Sequence, residues 1–301
     1  MSNLKHISTD ARRGLWFIVL AAVLWGTVGV SSKAVYSLAD TNPLSIGFYR
    51  LVFSLPVLAW ACWRRLGRAA VCVPRRDLAV MLAIGIAMAL YQVCYFAAIQ
   101  RVGVAVAVLV TLCVAPMIVA LFSTLLLREP LTGAVALALL AALSGTALLV
   151  GGAPAASVHG DMAVVGVLLA LGAAASYAAI TLCSRALTGM YHPLQPITIG
   201  FAAGTFLLLP CALATGLTLD YPVSAWGLLL YLGIIPTALA YVFFLSGMRH
   251  TTATVASTVT LVEPLTSASL AWLLFGEQLG RLGVLGAVLL LAAMLLLYRD
   301  K

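Results

Sequence analysis

The chain has 301 residues, of which 63% are hydrophobic and only 9% are charged, with a formal net charge of +8. Soluble domains carry about 25% charged residues, so this chain could not cover a water-facing surface. The composition excludes a soluble globular protein. Because the apolar runs are continuous rather than alternating, it also excludes a membrane β-barrel and predicts an all-α integral membrane protein.

The predicted elements are ten transmembrane helices. A helix that crosses a hydrocarbon core needs about 20 mostly apolar residues, and breaks at glycine, proline and charged clusters divide the chain accordingly. The spans are expected near 14–36, 43–63, 78–99, 103–127, 131–150, 161–183, 195–215, 224–246, 251–275 and 280–298. The first span follows Arg12 and Arg13 as a signal peptide would, but it is too long, so we predict that it is retained.

Basic residues lie mostly on one side of this ten-span arrangement, for example along the 64–76 loop. The positive-inside rule then predicts that both termini are cytoplasmic, and we expect the bacterial inner membrane. The positive charge therefore indicates orientation in a lipid bilayer, and no nucleic-acid partner is expected.

The chain contains an internal repeat. Three residue pairs share a separation of 148 positions: Arg101 with Arg249, Pro116 with Pro264, and Glu129 with Glu277. Two further pairs share a separation of 152 positions: Trp25 with Tyr177, and Lys33 with Arg185. These pairs predict a five-helix repeat over 1–150 and a second over 151–301. Five is an odd number, so the second repeat should be inverted, an arrangement typical of secondary transporters.

Three segments resemble the drug/metabolite transporter superfamily in its EamA-type branch. They are LWG at 24–26, FYRL at 48–51 and LVEPLTSASLAWLLFGEQL at 261–279. The resemblance covers essentially the whole chain, and within the branch the sequence is most similar to the YddG-type amino-acid exporters. It implies proton-linked or gradient-driven movement of metabolites such as amino acids, usually outward.

Glu263 is the main candidate for ion coupling. By the helical rise it lies about 18 Å from the start of the ninth span at Thr251. A charged side chain at that depth is costly, so it should face a partner or a water-filled space. Pro264 can open a kink beside it. We predict that Glu263 binds a proton or other cation. A substrate ammonium partner and a purely structural carboxyl group are the alternatives.

Aromatic and amide side chains complete the predicted substrate site. Trp25 lies about 16 Å into the first span, deeper than the headgroup region where tryptophan is enriched. Tyr91 and Tyr95 share one helical face because they are four residues apart. The predicted substrate-binding set is Trp25, Tyr91, Gln92, Tyr95, Tyr177, Tyr241, Phe244 and Glu263. An apolar pocket edged by a few polar groups is typical of small-molecule sites, although each aromatic residue could instead only pack helices.

Arg50 lies about 10 Å into the second predicted span by the helical rise. Long basic side chains near helix ends extend toward the membrane surface, and we expect this for Arg50. The alternative is that its guanidinium group holds a substrate carboxylate.

These observations favour a secondary transporter that exports small amphipathic metabolites, amino acids first, by alternating access through a central cavity. Multidrug or other metabolite transport within the same superfamily is the nearest alternative, and a membrane-embedded transferase is the alternative from another class. No G-x-x-x-x-G-K-[ST] motif and no metal-ligand spacing of histidines occur. We therefore expect no catalytic residues, cofactor or metal, and either a monomer or a homodimer.

Overall fold

The computed structural model describes residues 2–151, 161–275 and 280–299, and these residues form helices without a strand. The prediction of an all-α membrane protein is confirmed. The segment 152–160, which joins the two predicted repeats, and Glu277 lie outside the described residues.

The helices follow the predicted spans closely. We number them α1 (Ser2–Leu38), α2 (Pro43–Leu66), α3 (Arg75–Gly103), α4 (Val106–Leu126), α5 (Gly133–Gly151), α6 (Asp161–Ala186), α7 (Leu194–Ala214), α8 (Val223–Gly247), α9 (Ala253–Val259 with Val262–Phe275) and α10 (Arg281–Arg299). A short 3₁₀ helix, Gly67–Ala70, follows α2. Helices α3 and α4 run into each other through Gly103, whose φ of 79° suits glycine.

Within the described residues, eight of these helices are long and apolar enough to cross a membrane. Helix α5 contributes a shorter apolar stretch, Gly133–Leu148. Helix α9 is interrupted between Val259 and Val262, so neither of its pieces reaches a full span. The protein is a multi-pass membrane protein, whereas the count of ten crossings stays a prediction.

Helix packing follows a pattern that relates the two halves. Helix α1 contacts α8 and α9, while α6 contacts α3 and α4. Helix α2 contacts α7, and α5 contacts α10. This set of contacts is unchanged when each helix is exchanged with the helix five places away in the chain. The pattern is what two related five-helix units would produce.

Two glycines show the same relation at atomic detail. A Cβ atom on Gly85 of α3 would lie 2.9 Å from the backbone nitrogen of Gly204 in α7. A Cβ atom on Gly233 of α8 would lie 3.1 Å from the carbonyl oxygen of Arg50 in α2. These positions differ by the repeat separation of 148. Both helix pairs therefore approach more closely than a larger residue would allow, as small residues permit in membranes.

Candidate functional site

Helix α9 is interrupted immediately before the Glu263–Pro264 pair. Its first piece ends at Val259 and its second begins at Val262, so Glu263 lies in the first turn of a half-helix. Proline cannot donate a backbone hydrogen bond, which explains a discontinuity at this position. The positive end of the half-helix dipole favours a carboxylate there. Pro116, the repeat counterpart of Pro264, lies within α4.

Arg50 points into the protein rather than toward the membrane surface, so that expectation was wrong. Its Nε–H donates to the Thr237 hydroxyl at 3.2 Å, and this hydroxyl donates to the Leu232 carbonyl at 2.7 Å. Thr237 lies in a π-helical turn of α8, Ile234–Leu239, which contains Pro236. Such turns are rare in proteins overall, but where they occur they are often at functional sites. This one carries Thr237, which positions Arg50.

Arg50 and Glu263 are close enough to interact electrostatically, and Arg50 also interacts in this way with the tyrosines at positions 91, 95 and 241. Within the described part of the chain, the two charged groups do not form an ion pair. The carboxylate oxygens of Glu263 and the terminal nitrogens of Arg50 make no hydrogen bonds to described residues. None of these atoms is fully enclosed. Both charged groups are therefore partly accessible and lack a direct charged partner within the described residues.

Two aromatic clusters flank this centre. Tyr91 and Tyr95 are stacked with centroids 5.5 Å apart, and Tyr177 lies 6.2 Å from Tyr91. The Tyr177 hydroxyl donates to Thr260 Oγ1 at 3.2 Å, which places it at the α9 break. Gln92, only 3% exposed, packs toward Gly47 of α2. Helices α3, α6 and α9 thus meet through predicted site residues.

The second cluster joins α1 to α8. The Trp25 ring lies 4.9 Å from the Tyr241 ring and 5.3 Å from the Phe244 ring. Phe201 of α7, which sequence reasoning missed, lies 5.0 Å from Tyr241. Trp25 is 5% exposed, and its buried Nε1–H has no acceptor among the described residues. The structure encloses Trp25 within this cluster instead of placing it beside an open space.

The structure thus brings the predicted aromatic residues together in two clusters, one of Tyr91, Tyr95 and Tyr177 and one of Trp25, Tyr241 and Phe244. It adds Arg50, Thr237, Thr260 and Phe201. Arg50 carried a signal, because an arginine inside an apolar span needs a partner. Thr237, Thr260 and Phe201 carried none, since single threonines and phenylalanines are common in membrane helices. Among the described residues, no group of three or more histidine, cysteine or acidic side chains could hold a metal.

Polar contacts link residues in and beside four loops, which we call the basic face: 67–74, 127–132, 187–193 and 248–252. Its centre, the Glu129–Arg185 clasp, consists of four groups. Glu129 Oε1 pairs with Arg185 Nε at 2.5 Å, and Oε2 accepts from the Ala253 amide at 2.8 Å. Arg185 Nη1 also donates to the Met248 carbonyl at 2.8 Å. The clasp therefore ties α6 to the loops before α5 and α9.

Further polar contacts lie on the same face, outside the clasp. Tyr191 donates to Asp77 Oδ2 at 2.5 Å, and this hydrogen bond raises the pKa of Tyr191. Arg249 Nη2 donates to the Tyr191 carbonyl at 2.7 Å. Burial, together with the guanidinium groups of Arg249 and Arg65, lowers the pKa of His192. A neutral His192 suits its role, because its Nδ1 accepts from the Leu194 amide at 3.3 Å.

Comparison with known proteins gives the family. The model of the EamA-like transporter family matches residues 12–151 and again 164–299. The uncharacterized transporter YwfM of Bacillus subtilis is 30% identical, with 93% of this chain and 92% of YwfM covered. The pseudopaline exporter CntI of Pseudomonas aeruginosa is also 30% identical, with 94% and 96% covered. A crystal structure aligns with a TM-score of 0.81 at 20% identity, covering 94% of this chain and 95% of that one, which shows the shared fold.

Membrane helices that are broken or kinked beside polar side chains are typical of membrane transporters. The chain belongs to the EamA-like transporter family, within the drug/metabolite transporter superfamily.

Proposed function

We propose that the protein exports small amphipathic metabolites, with amino acids that carry apolar or aromatic side chains as the first candidates. Transport would proceed by alternating access to a site between two inverted repeats, 1–150 and 151–301. The observation that supports this most is the pair of charges, Arg50 and Glu263, which interact electrostatically with each other without an ion pair and lie near several tyrosines. Unpaired charges at this depth are costly unless they serve a ligand or an ion.

Glu263 would carry the coupling proton, and the eight predicted side chains would bind substrate, Trp25 through its cluster with Tyr241 and Phe244. In the proposed orientation, both termini and the basic face lie in the cytoplasm of a bacterial inner membrane. The Glu129–Arg185 clasp would then close the cytoplasmic side. An exporter must open that side to load substrate, so the clasp would break in each cycle.

Two alternatives come from the superfamily and the relatives. Export of pseudopaline is the function in the name of the relative CntI, and multidrug export is the broader alternative. A membrane-embedded transferase is less well supported, because the central groups include no nucleophile with a neighbouring base.

A counterflow screen tests the proposal. Purified protein is reconstituted in proteoliposomes and assayed with the 20 amino acids, amphipathic cationic drugs, nucleotide sugars and pseudopaline. We expect accelerated exchange of at least one apolar or aromatic amino acid over protein-free liposomes. Exchange of drugs or pseudopaline without any amino acid would overturn the amino-acid assignment, and no exchange of any compound would overturn transport through this site.

A further inference from the structure

We propose that the site recognises its substrate as a zwitterion, with Arg50 holding the carboxylate and Glu263, once it has released its proton, holding the ammonium group. The inference rests on the proposed function and deepens it, because it assigns Arg50 as a residue that determines specificity.

The Arg50 guanidinium is held in place and retains free donors. Its Nε–H donates to Thr237 of α8. The backbone of Arg50 packs against Gly233, which also lies in α8. The two terminal nitrogens have no acceptor among the described residues. An arginine presents its remaining N–H groups as a planar fork that matches a carboxylate with two parallel hydrogen bonds. The fixed Nε therefore leaves two terminal nitrogens that can bind a carboxylate and have no partner among the described residues.

Glu263 supplies the opposite charge and is close enough to Arg50 to interact with it electrostatically. Its carboxylate makes no hydrogen bond within the described part of the chain, and it lies in the first turn after the α9 break. An ionised carboxylate only accepts hydrogen bonds, so an ammonium group with three donors is a suitable partner. The side chains that interact with it electrostatically are Arg50, Tyr91, Tyr95, Tyr177 and Tyr241.

The separation of the two charges is itself informative. The two groups interact but do not pair directly. The Nε–H of Arg50 is bonded to Thr237 of α8, and Glu263 lies just after the break in α9. A zwitterion can neutralise both at once. A substrate with a single charge would leave the opposite charge buried and unpaired, which is strongly unfavourable. The site should therefore discriminate against compounds that lack either group, as sites with unsatisfied polar partners do.

The first test needs only the wild-type protein. Counterflow is measured in proteoliposomes with L-phenylalanine, L-leucine and L-methionine, and with the carboxamide and N-acetyl derivative of each. We expect kcat/KM to fall about tenfold or more for both derivatives, since a hydrogen bond to a charged group typically accounts for a factor of this order. Equal transport of the derivatives would overturn zwitterion recognition and leave amino-acid export intact. No transport of the three parent amino acids would instead overturn the proposed function.

The second test assigns the two groups to their residues. Arg50→Gln should remove the preference for the amino acid over its carboxamide, and Glu263→Gln should remove the preference over the N-acetyl derivative. Arg101→Gln is the matched control, because Arg101 bonds only to the Ala97 carbonyl of its own helix. Thr237→Val leaves the charge of Arg50 and removes its hydrogen bond, so it should raise KM for the amino acid. Unchanged preferences in a folded Arg50→Gln variant, or an unchanged KM in Thr237→Val, would overturn the role of Arg50.

Discussion

Glu263 shows why a single residue can matter in this protein. It is an acidic side chain whose counterpart at the other repeat, Ala115, is apolar and 2% exposed. Two related halves therefore share a helix with one proline, but only one half carries the carboxyl group. The acid is not required to build the repeat, which favours a role in transport.

At this scale we predict that Glu263→Gln makes the transport rate independent of pH between about pH 5 and 8. The other groups that face Glu263 are arginine and tyrosine, which in general titrate at about pH 10 or above. The carboxyl group is then the one that can exchange a proton in this range. Counterflow is measured at several pH values, with size-exclusion chromatography as the control for folding. A pH profile equal to that of the wild type would show that Glu263 is structural.

Arg50 illustrates the limit of reasoning from single residues. Its position near the end of a predicted span is compatible with an outward and an inward direction. The contact that decides between them, with Thr237, joins residues 187 positions apart in the chain. No local pattern contains that information.

At the scale of elements, breaks in regular structure locate the site. Helix α8 contains a π-helical turn and α9 is interrupted at Glu263–Pro264. Irregular backbone at membrane depth is tolerated where protein or water can satisfy the released groups. The first irregularity contains Thr237, which binds Arg50, and the second lies beside Glu263. Both irregularities are therefore next to a charged group of the candidate site.

The clasp gives a second prediction. Arg185→Gln should leave Glu129 with half of its partners and favour opening of the basic face. In a cysteine-free background, Thr254→Cys reports this opening, because Thr254 is 4% exposed and bonds to Ser123 at 2.7 Å. We expect Arg185→Gln to accelerate its labelling by a membrane-impermeant maleimide about tenfold.

Arg249→Gln is the matched control for this experiment, since Arg249 lies on the same face and contacts Tyr191 outside the clasp. Its labelling rate should stay near that of the parent. Equal rates in the two variants would mean that the clasp does not hold this face closed.

Helix contacts at glycine give a third prediction. Gly85→Val should lower stability by about 1–3 kcal/mol, the usual cost of overpacking, because α3 and α7 touch there. Gly227→Val is the control, because a Cβ atom at Gly227 meets no other atom within 4 Å. Thermal unfolding in detergent measures both variants, and an equal melting temperature would contradict the close packing of this helix pair.

At the scale of the whole molecule, the relation between the halves determines how the protein could work. The contacts of α1 with α8 and α9, of α2 with α7 and of α5 with α10 are preserved when each helix is exchanged with its counterpart five places away. The family model also matches the chain twice. If the halves are inverted, one site between them can be exposed to each side by exchanging their conformations.

If the repeats are inverted, equivalent loops of the two repeats lie on opposite sides of the membrane. The loop after α2 and the loop after α7 correspond in the two repeats, and Cys72 and Leu219 are exposed in them. A variant that retains only Cys72, and a cysteine-free variant with Leu219→Cys, should react with an impermeant maleimide from opposite sides of the membrane. The comparison uses right-side-out and inside-out vesicles. Labelling of both positions from the same side would show that the repeats are parallel.

The sequence by itself determined the membrane class and the family, and it predicted most helix boundaries to within a few residues, except the start of α1 and the interruption of α9. Composition and the length of apolar runs are local properties, and the bilayer imposes helices on any such run. The separations of 148 and 152 positions predicted two related units, and Glu263–Pro264 marked the position at which α9 breaks.

Only the tertiary structure decided the direction of Arg50, the partners of Glu129, and the enclosure of Trp25 by Tyr241 and Phe244. Each of these depends on contacts between helices that are far apart in sequence. Within lipid, apolar side chains are solvated about equally well by neighbours and by acyl chains. The hydrophobic pattern therefore carries little information about which helix faces meet, and packing and polar contacts make that choice.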